Sequence, residues 1–378
     1  MKVIRRPRSL EIKAYTATSE NGFMNKYLAQ LTINIILVAP TAWAHPAEKI
    51  PAGEGAAISK TSSLIRQTLM REHQPGQLMR RDAHAKHHGC VDAGFEVFDS
   101  IPDEFVTGVI QPNYSYSAVI RFSNGSGKSQ NDRDGDGRGM AIKLFNVPGE
   151  KILPSETSAT TQDFLMINHP QFFVRNAADY VEFSEAVFGS SPAGFFFPSI
   201  LPHKWRIQEM KIAKAIQNKT TPNLLGATFF SMTPYQYGDL GVVKYRARPC
   251  AASLVLPGNM KSPNFLRENL KLTLDSSSAC FIFEVQKQLD PLVQPVEDPT
   301  ILWDEHLAPF VPVARIIIPS QVFENPEREE YCENLSMTPW HSLPEHRPLG
   351  GINRVRRVVY EEVSKLRHEI NGVERVEP

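Results

Sequence analysis

The chain has 378 residues, of which 42% are hydrophobic and 22% charged, the proportions of a globular protein with ample material for a core. Its 41 Lys and Arg residues balance 41 Asp and Glu residues, so no global field favours nucleic acid or an anionic membrane surface. The 29 prolines imply many turns, which favours a β-rich fold over a helical bundle.

Residues 1–44 are predicted to be an N-terminal extension that contains a secretory signal peptide. From about Met24 a short basic start precedes an apolar run at 28–40, which is followed by the Ala-x-Ala cleavage site Ala42-Trp-Ala44. The apolar run is too short for a stable membrane span. Residues 1–23 carry no core pattern and are either a mis-assigned start or an extended basic region. The sequence therefore predicts a periplasmic or secreted protein.

Disulfides are allowed in such a compartment, and the chain has four cysteines with which to form them. They allow two bridges in three pairings, between which the sequence does not choose. One of them, Cys280, lies in the apolar stretch Ala-Cys-Phe-Ile-Phe and could instead be an ordinary core residue. The cysteines are Cys90, Cys250, Cys280 and Cys332.

The rest of the chain reads as a small, proline-bearing linker at 45–60 and a single domain at 61–378. Capping residues followed by helical spacing predict a helix from Thr61, and two further helices are expected at 176–187 and 205–216. Strands are predicted at 94–98, 117–123, 140–145, 164–167, 241–246, 280–285 and 314–318. Strands in the middle with helices around them predict an α+β fold, with an antiparallel sheet or barrel and peripheral helices.

Two short motifs suggest metal sites, and each lacks part of the usual ligand set. His84 and His88 have the spacing of two zinc ligands on a helix and Cys90 is near, but an alanine replaces the glutamate of a His-Glu-x-x-His hydrolase. The stretch 131–138 resembles the start of a calcium loop, but its closing acid is replaced by Lys143. Solvated histidines and a tight acidic turn are the interpretations that we prefer.

The stretch 353–367 is predicted to be a helix, because two valines and a leucine recur along one stripe. Arg356 and Tyr360 lie ~40° apart around such a helix, and Arg367 returns to the same face. A guanidinium four residues from a phenol favours the phenolate, and a metal would favour it more strongly. An ordinary surface helix is the alternative.

Taken in order, five segments resemble motifs of the catalase superfamily of haem proteins. Residues 81–86 resemble its Arg-Val-Val-His-Ala-Lys segment, 119–123 its Val-Arg-Phe-Ser strand, and 138–143 its Arg-Gly-Phe-Ala-Val-Lys strand. Residues 168–175 resemble Asn-Thr-Pro-x-Phe-Phe-Ile-Arg, and 356–360 match the proximal motif Arg-x-x-x-Tyr. The resemblance spans roughly residues 75 to 367 and implies a catalase-like antiparallel β-barrel core with surrounding helices.

The resemblance implies haem b as cofactor, with Tyr360 as the axial ligand of the haem iron in its phenolate form. Arg356 would keep that phenol ionised. Arg81, Arg121 and Arg367 would pair with the haem propionates, a task that suits forked, permanently charged donors.

On the other side of the haem, the resemblance implies that His84 is the distal acid–base, which moves a proton between the two oxygens of a peroxide. Ser123 would orient the imidazole through its other ring nitrogen. Phe172 and Tyr180 match aromatic positions that line the haem pocket, where Tyr180 replaces a phenylalanine.

The sequence departs from the family at the distal asparagine. In an ungapped register Ile167 occupies that position, and Asn168 matches the neighbouring residue. Either a local shift brings Asn168 into the catalytic set, or the second distal hydrogen-bonding group is missing. The long N-terminal arm and the C-terminal helical domain of full-length catalases have no room in this chain, which we therefore expect to be a short form reduced to the barrel core.

The implied function is peroxide chemistry by an exported haem protein, either breakdown of hydrogen peroxide or peroxidatic turnover of a small-molecule hydroperoxide. One alternative is rearrangement of fatty-acid hydroperoxides, of the allene-oxide-synthase kind that some catalase-like proteins perform. The other is non-enzymatic haem binding. Neither nucleic acid nor a stable membrane span is expected, and the sequence leaves open a homo-oligomer, the preferred hydroperoxide and the reductant.

Overall fold

Nine antiparallel strands form one sheet in the computed structural model, which describes residues 45–189, 191–239, 241–250 and 260–378. The predicted signal peptide lies outside the described residues. The strands are β1 His87–Val97, β2 Ser115–Asn124, β3 Arg138–Leu144, β4 Gln162–Ile167, β5 Phe229–Phe230, β6 Tyr235–Tyr237, β7 Gly241–Pro249, β8 Ala279–Lys287 and β9 Phe310–Ile318.

The sheet closes into a barrel through its shortest strand. Its order is β5-β4-β3-β2-β1-β9-β8-β7-β6, and β5 also pairs with β7. Eight strands therefore form a closed ring, and β6 pairs with β7 beside it. On the β4 side the closure consists of the pair Ile167 and Phe230. The predicted α+β class with an antiparallel barrel core is confirmed.

Aromatic side chains fill the barrel because alternate residues of each strand point inward. The ring of Phe164 contacts those of Tyr245 and Phe283, with centroids 5.0 and 4.9 Å away. Phe95 packs against Phe283 at 5.1 Å. All four side chains are buried, and each such ring contributes about 2 kcal/mol by leaving water. This core makes the barrel wall a rigid support for residues on its outer face.

Seven helices surround the barrel in the described part of the chain, and none of them is both long and apolar enough to cross a membrane. They are α1 Glu54–Glu72, α2 Ala177–Gly189, α3 Ala193–Phe196, α4 Ile207–Gln217, α5 Phe265–Leu274, α6 Pro326–Asn334 and α7 Gly351–Asn371. Helices α1, α2 and α7 pack together through a small apolar cluster that includes Ile65, Ala177 and Val359.

The first helix begins at Glu54, within the stretch predicted as a linker. Glu54 is buried because Arg354 of α7 donates to its carboxylate at 2.8 Å. Glu48, further upstream, accepts from Arg347 at 2.9 Å and from the backbone of Gly350 at 2.9 Å. These ion pairs anchor the start of the domain to α7, and local sequence pattern does not reveal such long-range contacts.

Two disulfides select one of the three pairings that the sequence allows. Cys90 of β1 is bonded to Cys332 of α6, and Cys250 is bonded to Cys280 of β8. The interpretation of Cys280 as an ordinary core residue is therefore wrong. The suggested zinc site is also wrong, since Cys90 is in a disulfide and His88 is buried against Asn124 at 2.8 Å.

Candidate functional site

His84 and Ser123 form a hydrogen-bonded pair where β2 meets the segment before β1. His84 Nδ1 lies 2.9 Å from Ser123 Oγ. Gly139 of β3 is the register partner of Ser123. A Cβ atom at Gly139 would lie 2.7 Å from both of those atoms, which is closer than van der Waals contact allows. A glycine at this strand position therefore makes room for the pair.

The backbone of His84 adopts a left-handed conformation with φ of 57°, which is uncommon for a residue with a side chain. Two hydrogen bonds hold it there: its N–H donates to the carbonyl oxygen of Gly125 at 3.1 Å, and its carbonyl accepts from Arg121 at 2.8 Å. Such conformations persist only where the surrounding structure enforces them, and they cluster at functional sites.

Burial, and after it the positive charges of Arg121, Arg356 and Arg81, together lower the pKa of His84 to about 3. The imidazole is therefore neutral at neutral pH, when it can accept a proton.

Three arginines lie close to one another, and two of them pair with a single carboxylate. Arg81 pairs with Glu333 Oε1 at 3.2 Å, and Arg367 lies 3.9 Å from the same oxygen. Arg121 has no acidic partner within ion-pair distance among the described residues. Among the described residues, no hydrogen-bond partner reaches the buried Nε atoms of Arg121 and Arg367. Burial and the charge of Arg81 lower the pKa of Arg367 to about 9. The cluster therefore has excess positive charge and unused donors, which fits an anionic group.

Tyr360 and Arg356 are neighbours on α7. Arg356 Nε donates to Tyr360 Oη at 3.3 Å, and the guanidinium carbon lies 5.2 Å from the ring centroid. Asn353, one turn earlier and fully buried, accepts from Arg356 Nη1 at 3.1 Å. Asn353 also accepts from Thr233 at 3.1 Å and donates to the carbonyl oxygen of Pro234 at 3.0 Å. The amide therefore orients Arg356, a role that its spacing on the helix could have suggested.

Phe172 and Tyr180 stack with ring centroids 6.2 Å apart and an interplanar angle of 20°. Burial raises the pKa of Tyr180, as do the nearby groups Asp82 and Tyr360. Tyr180 is therefore a neutral phenol beside the α7 tyrosine, in a wall that is otherwise apolar.

The side chain of Asn168 already has protein partners. Its Oδ1 accepts from the backbone of Arg138 at 2.8 Å, and its Nδ2 donates to Thr221 at 3.0 Å. Ile167 pairs instead with Gly139, the glycine beside His84. These contacts favour the second of the two sequence-based alternatives, in which the second distal hydrogen-bonding group is missing.

In two other clusters of side chains that could bind a metal, a lysine ammonium group already pairs with the carboxylates. Asp163, His341 and Glu377 come together, but Lys143 Nζ lies among them, 2.9 Å from Asp163 Oδ1 and 3.1 Å from His341 Nδ1. In the stretch that resembles a calcium loop, Asp132 is buried and pairs with the ammonium group of Lys86 at 2.7 Å.

Sequence reasoning missed Glu333, the carboxylate that Arg81 and Arg367 share. It lies on α6, whose sequence gives no local signal of a site, and only tertiary contacts reveal its role.

The strand ring and this arrangement of residues can be compared with solved structures. The chain matches a fungal catalase with a TM-score of 0.61, 16% identity, and coverage of 80% of this chain and 61% of that one. It matches a bacterial catalase with a TM-score of 0.58, 15% identity, and coverage of 94% and 70%. Catalase A from Saccharomyces cerevisiae matches with a TM-score of 0.59, 16% identity, and coverage of 89% and 70%.

The fold is catalase-like. No family model and no curated protein matches the sequence. The chain spans 61% of the fungal catalase, so it shares the catalase core but less than two thirds of that protein's length. At 15 to 16% identity the likeness establishes the fold, and a function has to be argued from the residues.

Proposed function

We propose that this catalase-like protein binds haem b and acts on peroxides. The observation that carries the proposal is the arginine cluster. Arg81 and Arg367 share the carboxylate of Glu333, whereas Arg121 has no acidic partner among the described residues. The buried Nε groups of Arg121 and Arg367 have no hydrogen-bond partner in the described part of the chain. Buried donors without partners are costly, and an anionic ligand such as a pair of propionates would satisfy them.

The residues around the cluster fit the other needs of a haem. Tyr360 would ligate the haem iron, and the guanidinium of Arg356, held by Asn353, would stabilise its phenolate. Phe172 and Tyr180 would provide an apolar wall for the macrocycle. When bound, haem would supply an iron at which a peroxide O–O bond can break.

His84 would move the proton that this chemistry requires. Because its imidazole is neutral at neutral pH, it can accept a proton from one peroxide oxygen and return it to the other. If Nδ1 donates its hydrogen to Ser123, the tautomer is fixed and Nε2 is left as the base.

A second candidate is favoured by the engaged side chain of Asn168. Without a second distal hydrogen-bonding group, hydrogen peroxide would be positioned by His84 alone, and its breakdown would be slow. Rearrangement of fatty-acid hydroperoxides, or haem binding with little turnover, is then the function. A rate of oxygen release from hydrogen peroxide no better than that of free haem, with fatty-acid hydroperoxides consumed, would select the rearrangement.

We also propose that the protein is exported. Two disulfides join its four cysteines, and such bonds persist in oxidising compartments. Mass spectrometry of the N-terminus of the protein in the periplasm or medium tests cleavage after Ala44, and an intact N-terminus found in the cytoplasm would contradict export.

The cofactor is tested by reconstitution with haem and absorption spectroscopy of the Tyr360→Phe variant. We expect the wild-type ferric spectrum to be lost or strongly altered, because phenylalanine cannot ligate iron. The matched control is Tyr331→Phe: the guanidinium carbon of Arg328 lies 5.3 Å from the Tyr331 ring, as that of Arg356 lies 5.2 Å from the Tyr360 ring. An unchanged spectrum in Tyr360→Phe would refute the ligand assignment.

Proton transfer is tested by His84→Ala. We expect haem to remain bound while the rate of peroxide reaction falls by about 100-fold or more, the usual contribution of a positioned acid–base group. A variant that binds haem and reacts at the wild-type rate would exclude His84 as the proton carrier.

A further inference from the structure

An exposed apolar loop joins α3 to α4. It comprises residues 197–206, and its side chains Phe197, Ile200, Leu201 and Trp205 are all exposed, Ile200 to 93%. Contiguous exposed apolar groups of this size on a soluble protein usually mark an interaction surface.

The loop's own contacts hold its aliphatic side chains outward. The rings of Phe197 and Trp205 meet edge to face with centroids 5.3 Å apart. Trp205 Nε1 donates to the carbonyl oxygen of Ser199 at 2.8 Å, and Lys204 N–H donates to that of Leu201 at 3.0 Å. With both ends tied together, Ile200 lies at the tip.

Next to the loop, the exposed charges without an ion-pair partner in the described part of the chain are positive. Residues 191–208 contain no Asp or Glu, whereas Lys204 is exposed within the loop. Lys211 and Lys214 follow on the face of α4 that carries Ile207, at spacings of four and seven residues. None of these three lysines forms an ion pair with an acidic side chain in the described part of the chain. Arg206, by contrast, is already paired with Glu182 at 2.5 Å and with Asp179 at 3.3 Å.

We propose that this loop docks on the surface of an anionic phospholipid bilayer. Trp and Phe rings favour the headgroup level of a bilayer, exposed aliphatic side chains favour the acyl boundary just below it, and lysines at the surface are attracted to anionic headgroups. The zero net charge of the chain does not oppose this, because the attraction depends on charges within a Debye length of the membrane.

A second exposed aliphatic pair, Leu292 and Val293, serves as a comparison for Ile200 and Leu201 of the loop. Leu292 and Val293 are 90% and 49% exposed, close to the 93% and 45% of Ile200 and Leu201. They stand next to Asp290 and have no aromatic neighbour between 288 and 302. The two pairs therefore match in apolar exposure and differ in the charge and aromatic character of their surroundings.

A series of aromatic contacts runs from the loop region to the candidate site. The ring centroids of Phe195 and Phe183 are 5.4 Å apart, those of Phe183 and Phe173 4.9 Å, and those of Phe173 and Phe172 5.2 Å. Phe172 stacks on Tyr180. In an extension that rests on the proposed function, a bilayer held at the loop would present acyl hydroperoxides at the outer end of this apolar series.

Docking is tested by flotation of the full chain with vesicles of phosphatidylcholine alone and with added phosphatidylglycerol. We expect binding to the anionic vesicles, reduced roughly tenfold or more by the pair Ile200→Asp and Leu201→Asp and unchanged by the pair Leu292→Asp and Val293→Asp. Equal binding of both variants, or no binding of the wild-type chain, would overturn the proposal.

Trp205 reports the contact itself, independently of any binding by the N-terminal extension. Brominated phospholipids should quench a component of the fluorescence that is missing in Trp205→Phe, since Trp303 and Trp340 are buried. Equal quenching in both proteins would contradict the proposal. Light scattering without lipid tests the other occupant, a second copy of the chain. If the wild-type mass exceeds that of a monomer and only the variant with Ile200→Asp and Leu201→Asp is monomeric, the loop binds a second copy and the proposal is overturned.

The delivery of acyl hydroperoxides from the bilayer is tested separately from the haem chemistry. The variant with both aspartates in the loop should consume phospholipid hydroperoxide in anionic vesicles at least several-fold more slowly, but react with hydrogen peroxide in solution at the wild-type rate. Equal slowing of both reactions would point to damage at the site and overturn the delivery role. Wild-type protein that binds vesicles but consumes neither peroxide would leave docking intact and refute the proposed function.

Discussion

At the scale of single residues, the candidate site depends on a glycine that leaves space for its neighbours. Gly139 lies opposite Ser123, and the space where its Cβ would be is taken by the imidazole of His84. The contact between His84 and Ser123 therefore depends on the absence of a side chain at position 139.

We therefore expect Gly139→Ala to displace His84. The variant should lose most of its peroxide reactivity and about 1–3 kcal/mol of unfolding free energy, the usual cost of overpacking. Urea denaturation and the rate of peroxide consumption measure the two effects. The control is Gly94→Ala on β1, where an added Cβ has no neighbour within 4 Å. Equal behaviour of the two variants would show that the His84 pocket tolerates the methyl group.

At the scale of elements, the disulfide between β1 and α6 lies next to the arginine cluster. Arg81 donates to the carbonyl oxygens of Cys332 and Leu335 at 3.4 and 2.5 Å, and Glu333 is the residue between them in contact with Arg81 and Arg367. The bridge therefore fixes the segment that positions these cations.

Removal of this bridge by Cys90→Ser with Cys332→Ser should lower the unfolding free energy by about 5 kcal/mol, because it closes a loop of 242 residues. It should also weaken haem affinity, measured by titration. The control is Cys250→Ser with Cys280→Ser, which opens a loop of 30 residues. Equal haem affinities in the two variants would show that the bond between Cys90 and Cys332 does not influence haem binding at the site.

The sequence predicted those elements whose pattern is local. The apolar stripe of α7 and the alternation in β2 and β3 gave their types correctly. Strands β5 and β6 were missed because two or three residues carry no period, and the start of α1 was missed because it depends on the pairing of Glu54 with Arg354. For the site, motif order indicated His84, Ser123 and Tyr360. Glu333 belongs to it only through tertiary contacts, whereas Asn353 lies one turn before Arg356 on α7, a spacing that the sequence does show.

At the scale of the whole molecule, buried histidines set the response to acid. Burial lowers the pKa of His88 and of His346 to about 4. His346 Nε2 accepts from the backbone of Val109 at 3.1 Å, a bond that protonation would break. In the unfolded chain these histidines bind protons below a pH of about 6.5, whereas in the folded chain they do so only near pH 4. Their contribution to the free energy of unfolding is therefore fully present above pH 6.5 and is lost as the pH falls to about 4. His341 has a raised pKa, and its contribution is lost instead as pH rises.

We expect the unfolding free energy to fall steeply between pH 6.5 and 4, and His346→Gln to remove about 3 kcal/mol of that decline. Glutamine keeps an acceptor for Val109 but does not titrate. Denaturant titrations at pH 7 and pH 4.5 measure the slope, and the exposed His306→Gln is the control. The same slope in His346→Gln and in wild type would contradict this assignment.

The two-residue strand β5 is held in the barrel ring by the fewest residue pairs. On one side it is joined to the ring by the pair Ile167 and Phe230, whereas most other neighbouring strands share long ladders. Thermal fluctuation separates a closed ring first where fewest bonds hold it, so amide hydrogen exchange should be fastest at this junction. Ile167 belongs to that junction and also lies opposite Gly139, beside His84. We therefore expect the part of the wall beside His84 to open more often than the rest of the strand ring, which would let a small molecule approach the imidazole from that side.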